Sequence, residues 1–271
     1  MMNKILVSAA NILLAALFLC GSESAWAQAA PPLGTVAGFS VLGGSAVTST
    51  GPTVVTGDLG IFPSNASSVT GFPPGIVVGT THFADAVAQQ AQTDLTTAYV
   101  DLAGRPCGTV LTGTNLGGLT LTAGVYCFAT SAQLTGTLTL NAQGNPNAVF
   151  IFQMGSTLTT ASASNVVVIN GGSNCNVFWQ VGSSATLGST TSFAGNIVAL
   201  TSITLITGAN ASGRLLARNG AVTMDSNNVG GCAGGAAGGV SAIPTLSEWA
   251  MFVMTLLLAV AGFVVLRSRK S

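Results

Sequence analysis

Six segments of the chain repeat one short phrase, in which a small residue, an apolar residue and a threonine follow one another. They are FSVLGGSAVTST, VYCFATSAQLTG, VFIFQMGSTLTT, WQVGSSATLG, NIVALTSITLIT and GRLLARNGAVTM. In one register the apolar position is Val47, Leu134, Leu158, Ala185, Ile203 and Val222. Thr48, Thr135, Thr159, Thr186, Thr204 and Thr223 come next, and Ala46, Gln133, Thr157, Ser184, Ser202 and Ala221 lie two places before each of them. Residues two apart on a strand share a face, and neighbours alternate. The apolar column therefore points inward, and two columns point out, one of threonine and one of small residues apart from Gln133. What they offer is a regular surface of hydroxyls and methyls without charge, and function is expected there.

Few other residues could do chemistry. His82 sits in a Thr-Thr-His-Phe setting with no acid at a fixed spacing, whereas a triad or general-base site needs further partners. The body offers Asp58, Asp85, Asp94, Asp101 and Asp225 against Arg105, Arg214 and Arg218. Three of those acids fall on a predicted helix, and Asp225 near Arg218 reads as a surface ion pair. Gly57-Asp58-Leu59-Gly60 reads as a turn, because calcium wants six to eight oxygen ligands. The FPPG at Phe72–Gly75 reads as a tight turn. With no CxxC spacing and no His partners, no metal site is expected. No cofactor and no catalysis are expected either.

Of the 271 residues, 35 are Gly and only 5% are charged, with a formal net charge of zero. Globular domains usually carry about 25% charge, so this surface must be built from Thr, Ser, Asn, Gln and Gly. Nucleic acid and anionic membrane surfaces call for basic patches, and the body has none. The apolar runs VVVI, VFIF and NVFW supply a core, so the body is read as folded.

Both ends read as addresses. Residues 1–27 carry Lys4, an apolar run from Ile5 to Leu19 and then Ala25-Trp26-Ala27, the pattern of a secretory signal peptide. Ala250 to Leu266 is free of charge and is followed by Arg267, Arg269 and Lys270. Those seventeen residues predict a single transmembrane helix of roughly 25 Å with a cytoplasmic C-terminus. Ile243, Pro244, Thr245 and Leu246, then Ser247-Glu248-Trp249, the apolar stretch and the basic stop resemble the IPTL class of bacterial sorting signal. The resemblance implies export, transient anchoring in the membrane and handling by an exosortase-like enzyme at the cell envelope or surface. Residues 230–242 read as a Gly/Ala linker and 243–271 as the sorting tail.

The body, 33–229, reads as one domain of stacked coils. From Leu158 the register advances 27, 18 and 19 residues, about what a coil of three short strands requires. Third-side strands are expected at Asn165–Ile169, Thr191–Gly195 and Ala209–Gly213. The 87 residues between Val47 and Leu134 are too many for a loop. Ala84, Val87, Ala91, Leu95, Ala98 and Leu102 recur at helical steps, and Gly104 and Pro106 close that helix. It is expected to pack along one side of the stack. Thr53–Thr56 and Ile76–Val78 read as strands near the first coil.

Cys20 leaves with the signal, and four cysteines remain, with three possible pairings. Cys107 with Cys127 is preferred, since it staples the segment after the helix to the next coil. Cys175 with Cys232 follows.

From Leu33 to Val229 the chain resembles the microbial ice-binding-protein-like domain. The resemblance rests on FSVLGGSAVT, TVVTGDLGIFP, VTGFPPGIVVG, DAVAQQAQTDLTTAYVDLAG, LTLTAGVYCF, LTLNAQGNPNAVFIFQMGSTLTT, CNVFWQVGSSATLG, FAGNIVALTSITL and GRLLARNGAVTMD. It implies a mainly β fold, a right-handed discontinuous β-solenoid of triangular section with one long helix alongside. It also implies adsorption to ice through one flat face. The family's loose pattern there, Thr-Ala/Gly-any-Thr/Asn, is approached by Ser45–Thr48, Thr201–Thr204 and Gly220–Thr223, and more loosely by Ser156–Thr159 and Ser183–Thr186. The expected ice-contacting residues are Ala46, Thr48, Thr135, Thr157, Thr159, Ser184, Thr186, Ser202, Thr204, Ala221 and Thr223. The alternative is a cell-surface adhesion or matrix solenoid without ice affinity, and the regularity of these columns distinguishes the two.

Overall fold

The computed structural model describes residues 28–232. The expected signal peptide, sorting motif and membrane helix lie outside them. Among the described residues no helix is long and apolar enough to cross a membrane.

Among the described residues, twenty-four short strands fall into three sheets of nine, seven and eight, here sheets A, B and C, and every strand pair is parallel. The chain visits A, B and C in turn, as in Phe150–Met154, Leu158–Thr160 and Asn165–Ile169. Each circuit is one coil, and each sheet is one side of the stack. Parallel stacking in register sets like residues over like. Inside, Tyr126, Phe152 and Trp179 pile up on successive coils, with ring centroids 5.3 Å and 4.0 Å apart. Trp179 donates its indole N–H to the Ala194 carbonyl at 3.0 Å, so its polar atom is satisfied within the core.

The coils do not stack in chain order. The last coil, Leu215–Ala217, Val222–Asp225 and Asn228–Gly230, is covered by the first, Phe39–Gly43, Val47–Thr50 and Val54–Thr56. Beyond it lies the second, Asp58–Ile61, Val69–Thr70 and Ile76–Val78. Sequence reading makes Gly57–Gly60 a turn, but Asp58–Ile61 is a strand of sheet A, with the bend confined to Gly57 at φ 118°. The chain then runs as helix α1, Ala86–Ala103, to the opposite end of the stack and resumes at Thr109–Val110. Eighteen helical residues span about 27 Å, most of the roughly 38 Å of nine strands about 4.8 Å apart. The long step in the repeat is thus one coil and its neighbour, the helix, and an end coil.

Helix α1 starts where the Asp85 carboxylate accepts from the Ala88 amide at 2.8 Å and closes at Gly104. It buries Ala88, Ala91, Gln92, Leu95, Ala98 and Leu102 against the outer face of sheet A, on Leu42, Val125, Ile151, Phe178, Val198 and Leu216. Ala84 precedes the helix and Val87 is 41% exposed, so the stripe begins at Ala88 and not at those two. Buried Gln92 donates to the Gly43 and Ala217 carbonyls at 3.1 and 3.2 Å.

Disulfides join Cys107 to Cys127 and Cys175 to Cys232. Among the described residues, 28–232, three sheets, two core clusters and two disulfides close on one another, so this stretch carries what it needs to fold alone.

Candidate functional site: the outer face of sheet B

Sheet A is hidden beneath α1, and among the described residues sheet B has no such cover. Its order is Ala132–Leu134, Leu158–Thr160, Ala185–Leu187, Ile203–Leu205, Val222–Asp225, Val47–Thr50 and Val69–Thr70. The inward column, Ala132, Leu158, Ala185, Ile203, Val222 and Val47, is wholly buried or nearly so. Register pairs Thr159 with Thr186, Thr186 with Thr204, Thr204 with Thr223, Thr223 with Thr48 and Thr48 with Thr70. The result is six threonines in line. Sheet A slips register between Phe39 and Val41, whereas the pairs of sheet B run without a shift.

Beside the threonines runs the second outward column: Ser131, Thr157, Ser184, Ser202, Ala221 and Ala46. It is stiffened from within. Thr157 donates to Ser131 Oγ at 2.8 Å, the Ser202 amide to Ser184 Oγ at 3.3 Å, and the Ala221 amide to Ser202 Oγ at 3.2 Å. In the threonine column Thr48 Oγ1 lies 3.4 Å from Thr223 Oγ1.

Ten of the eleven expected residues stand in these two columns. Thr135 does not. Ala132 pairs with Leu158, Gln133 with Thr159 and Leu134 with Thr160, so the register of that coil differs by two from the sequence reading. Gln133 takes the threonine place, Ser131 the small place, and Thr135 moves to the corner of the coil. A two-residue slip keeps every side chain on its own face, so alternation alone does not detect it. Sequence reasoning also missed Thr70, although Ser68-Val69-Thr70 repeats the phrase and Val69-Thr70 is stacked on Val47-Thr48.

No ionisable side chain stands in either column. The nearest is Asp225, two residues past Thr223 at the corner of sheets B and C. Its carboxylate accepts from the hydroxyls of Thr207 and Ser226, and the Thr207 bond foremost holds it below the usual carboxylate range. It does not pair with Arg218, as the sequence suggests. The Arg218 guanidinium stacks 4.7 Å over Tyr99 on the helix side and donates to Thr96 Oγ1 at 3.3 Å. His82 bonds Asp85 Oδ2 at 2.8 Å beside the helix start, away from sheet B. Among the described residues no group of three or more His, Cys, Asp or Glu could hold a metal ion.

With coils about 4.8 Å apart and like residues about 6.6 Å apart along a strand, the face presents a two-dimensional grid of methyls and hydroxyls. Such a grid can hold a layer of water in positions set by the backbone.

Residues 41–230 match the Ice-binding-like family model, and residues 241–269 match the IPTL-CTERM motif. An ice-binding protein of Nostoc sp. (strain HG1) is 62% identical over 198 residues, which cover 73% of this chain and 72% of that one. Ice-binding protein 1 of Shewanella frigidimarina (strain NCIMB 400) is 39% identical over 230 residues, 74% of this chain and 26% of that one. Among solved structures, an ice-binding protein from an Antarctic biological consortium superposes with a TM-score of 0.73 at 48% identity, covering 75% of this chain and 91% of the other. The domain of Shewanella frigidimarina ice-binding protein 1 gives a TM-score of 0.71 at 36% identity, covering 75% and 98%. The threonine face thus sits on a scaffold with well-matched counterparts, and the chain belongs to the ice-binding-like family.

Proposed function

We propose that this protein adsorbs to ice through the outer face of sheet B, by the columns Thr159, Thr186, Thr204, Thr223, Thr48 and Thr70 and Thr157, Ser184, Ser202, Ala221 and Ala46. The observation that carries the reading is the in-register, uncharged grid on one of the two sides that α1 leaves open. Each threonine contact with ordered water is weak. Many act at once on a surface fixed before binding, so little ordering entropy is lost. A charge would impose its own hydration on that layer, and both columns have none. The names of the relatives agree with this reading, and nothing in them favours a solenoid without ice affinity. The role is non-catalytic.

The right-handed winding follows from the general preference of parallel crossovers. Residues 1–27 are read as a signal for export, 33–229 as the solenoid, 230–242 as a linker and 243–271 as a sorting tail. The tail's segment 250–266 is read as a single-pass anchor, and Ile243–Leu246 as the motif met by an exosortase-like enzyme. The match to the IPTL-CTERM motif supports delivery to the cell surface.

The test is thermal hysteresis and inhibition of ice recrystallisation by residues 28–242. Activity is expected, and its loss is expected in Thr159→Tyr. An unaltered domain that leaves ice growth unchanged overturns the proposal.

A further inference from the structure

The final strand, Asn228–Gly230, lies inside sheet C between Asn210–Ser212 and Val54–Thr56. The next place in sheet A, beside Leu215–Ala217, is filled by Phe39–Gly43. Asn228–Gly230 therefore ends at the corner where sheets C and A meet, the one corner that sheet B does not share. Cys232 then turns back along the stack and closes on Cys175, at the entry to Val177–Val181. Sheet A runs Val177–Val181, Asn196–Ala199, Leu215–Ala217 and Phe39–Gly43, so the disulfide reaches back past two coils.

Polar groups fasten the same spot. Buried Arg214 donates to Asn196 Oδ1 at 2.9 Å, to the Ala37 carbonyl at 2.8 and 3.1 Å, and to the Cys232 carbonyl. Asn196 in turn donates to the carbonyls of Cys175 and Val177 at 2.9 and 3.0 Å. A guanidinium buried without a carboxylate is costly unless its N–H groups are satisfied, and here four bonds from Nε, Nη1 and Nη2 satisfy it. Arg214 thus joins the 3-10 turn Gly34–Gly38 that leads into the first coil, a middle coil and the outlet.

We propose that this corner is an outlet built to carry tension. A pull on the chain after Cys232 enters at that residue, crosses to Cys175 and is delivered to the middle of the stack without peeling the coils between. The proposal rests on the ice-adsorption reading, because ice held on sheet B is the other end of the load. It adds a function to that reading: the domain holds whatever carries its tail against ice. Without the clip, a pull on residue 232 strips Asn228–Gly230 from its neighbours a few hydrogen bonds at a time and then works back through Val222–Asp225. With the clip, the coils in between lie outside the path of force.

Single-molecule pulling on residues 28–242 tests this without ice. Handles are placed at position 159 on sheet B and at the C-terminus, and a control axis joins residues 28 and 159. On the first axis the unaltered domain is expected to extend without the 57 residues of sequence separation that the clip spans, about 200 Å of chain at about 3.5 Å per residue. The Cys175→Ser/Cys232→Ser variant is expected to yield at lower force on that axis and at unchanged force on the control axis. Equal weakening of both axes, or of neither, overturns the proposal. Should the variant not fold, the unaltered domain decides: a handle at the C-terminus is expected to resist more force than one at Ser226, inside the clipped loop, and the reverse ranking overturns the proposal. Failure of the ice reading is distinguishable, since it appears as lost ice adsorption with the force ranking intact.

Discussion

Thr48 and Thr223 stand 175 residues apart in sequence and 3.4 Å apart at their hydroxyls. The contact is the seam where the first coil closes over the last, with Val47 on Val222 beneath it. Because the seam keeps register, Thr48 and Thr70 extend a column begun by Thr159, Thr186, Thr204 and Thr223. A chain that wound in simple order would end its column at Thr223 and leave the last coil's edge unpaired, with its hydrogen-bonding groups open to other chains.

Gln133 interrupts the column near its other end, between Thr159 and Asn115, with which it forms a parallel bridge. Its longer amide breaks the methyl and hydroxyl pattern. Gln133→Thr is expected to add one coil to the grid, raising thermal hysteresis at equal protein concentration with stability changed by no more than about 0.5 kcal/mol, as for other surface substitutions. Unchanged or lower hysteresis would place the end of the active surface at Thr159.

Acid should weaken the fold before it weakens the face. The Ala88 amide foremost, and His82 after it, hold the Asp85 carboxyl below its usual value, and the Thr207 hydroxyl does the same for Asp225. A folded-state value below the unfolded one, about 3.9, gives stability that is present above the unfolded value and lost as pH falls through the folded one. Melting temperature is therefore expected to fall below about pH 4, with loss of helical signal. Burial pushes Arg214 down to about 10, so it stays charged at neutral pH. Ice adsorption, with no titrating group in either column, is expected to stay level from about pH 5 to about pH 9. Adsorption that tracks a titration in that range would mean that a charged group outside the grid takes part.

The two disulfides should differ in worth. By chain entropy, loops with separations of 20 and 57 residues correspond to about 3 and about 4 kcal/mol. Removing Cys175–Cys232 is expected to lower the unfolding free energy more than removing Cys107–Cys127, measured by urea titration of each double serine variant. The opposite order would show that the outlet clip adds little to the unstressed domain.

Helix α1 is what sets sheet B apart from sheet A. Leu95 is fully buried against sheet A, and Leu95→Ala is expected to cost about 2–5 kcal/mol. Ice activity per folded molecule should not change. A drop in activity without a drop in stability would implicate the helix side in binding.

Much of this is legible in the sequence, for identifiable reasons. A parallel stack needs the same residue type at the same place on every coil, so the small–apolar–Thr phrase recurs visibly, as at Thr157-Leu158-Thr159 and Ala221-Val222-Thr223. The helix shows in the spacing of Ala91, Leu95, Ala98 and Leu102. The stacking order does not show, because pairing Val47 with Val222 leaves no local mark. Sequence reading misplaces the coil at Ala132 because Ala132 and Leu134 are both buried and both satisfy the alternation. Gln92 gives no warning of its burial, since its partners, the Gly43 and Ala217 carbonyls, come from coils distant in sequence.

The most direct measurement compares matched tyrosines on the two sides that α1 leaves open. Thr204→Tyr places a ring on sheet B, and Ser212→Tyr places one on exposed sheet C. With folding checked by circular dichroism, fluorescently labelled residues 28–242 are adsorbed to a single ice crystal. Thr204→Tyr is expected to fail to adsorb and Ser212→Tyr to adsorb like the unaltered domain. Adsorption by Thr204→Tyr at the unaltered level would contradict adsorption through sheet B.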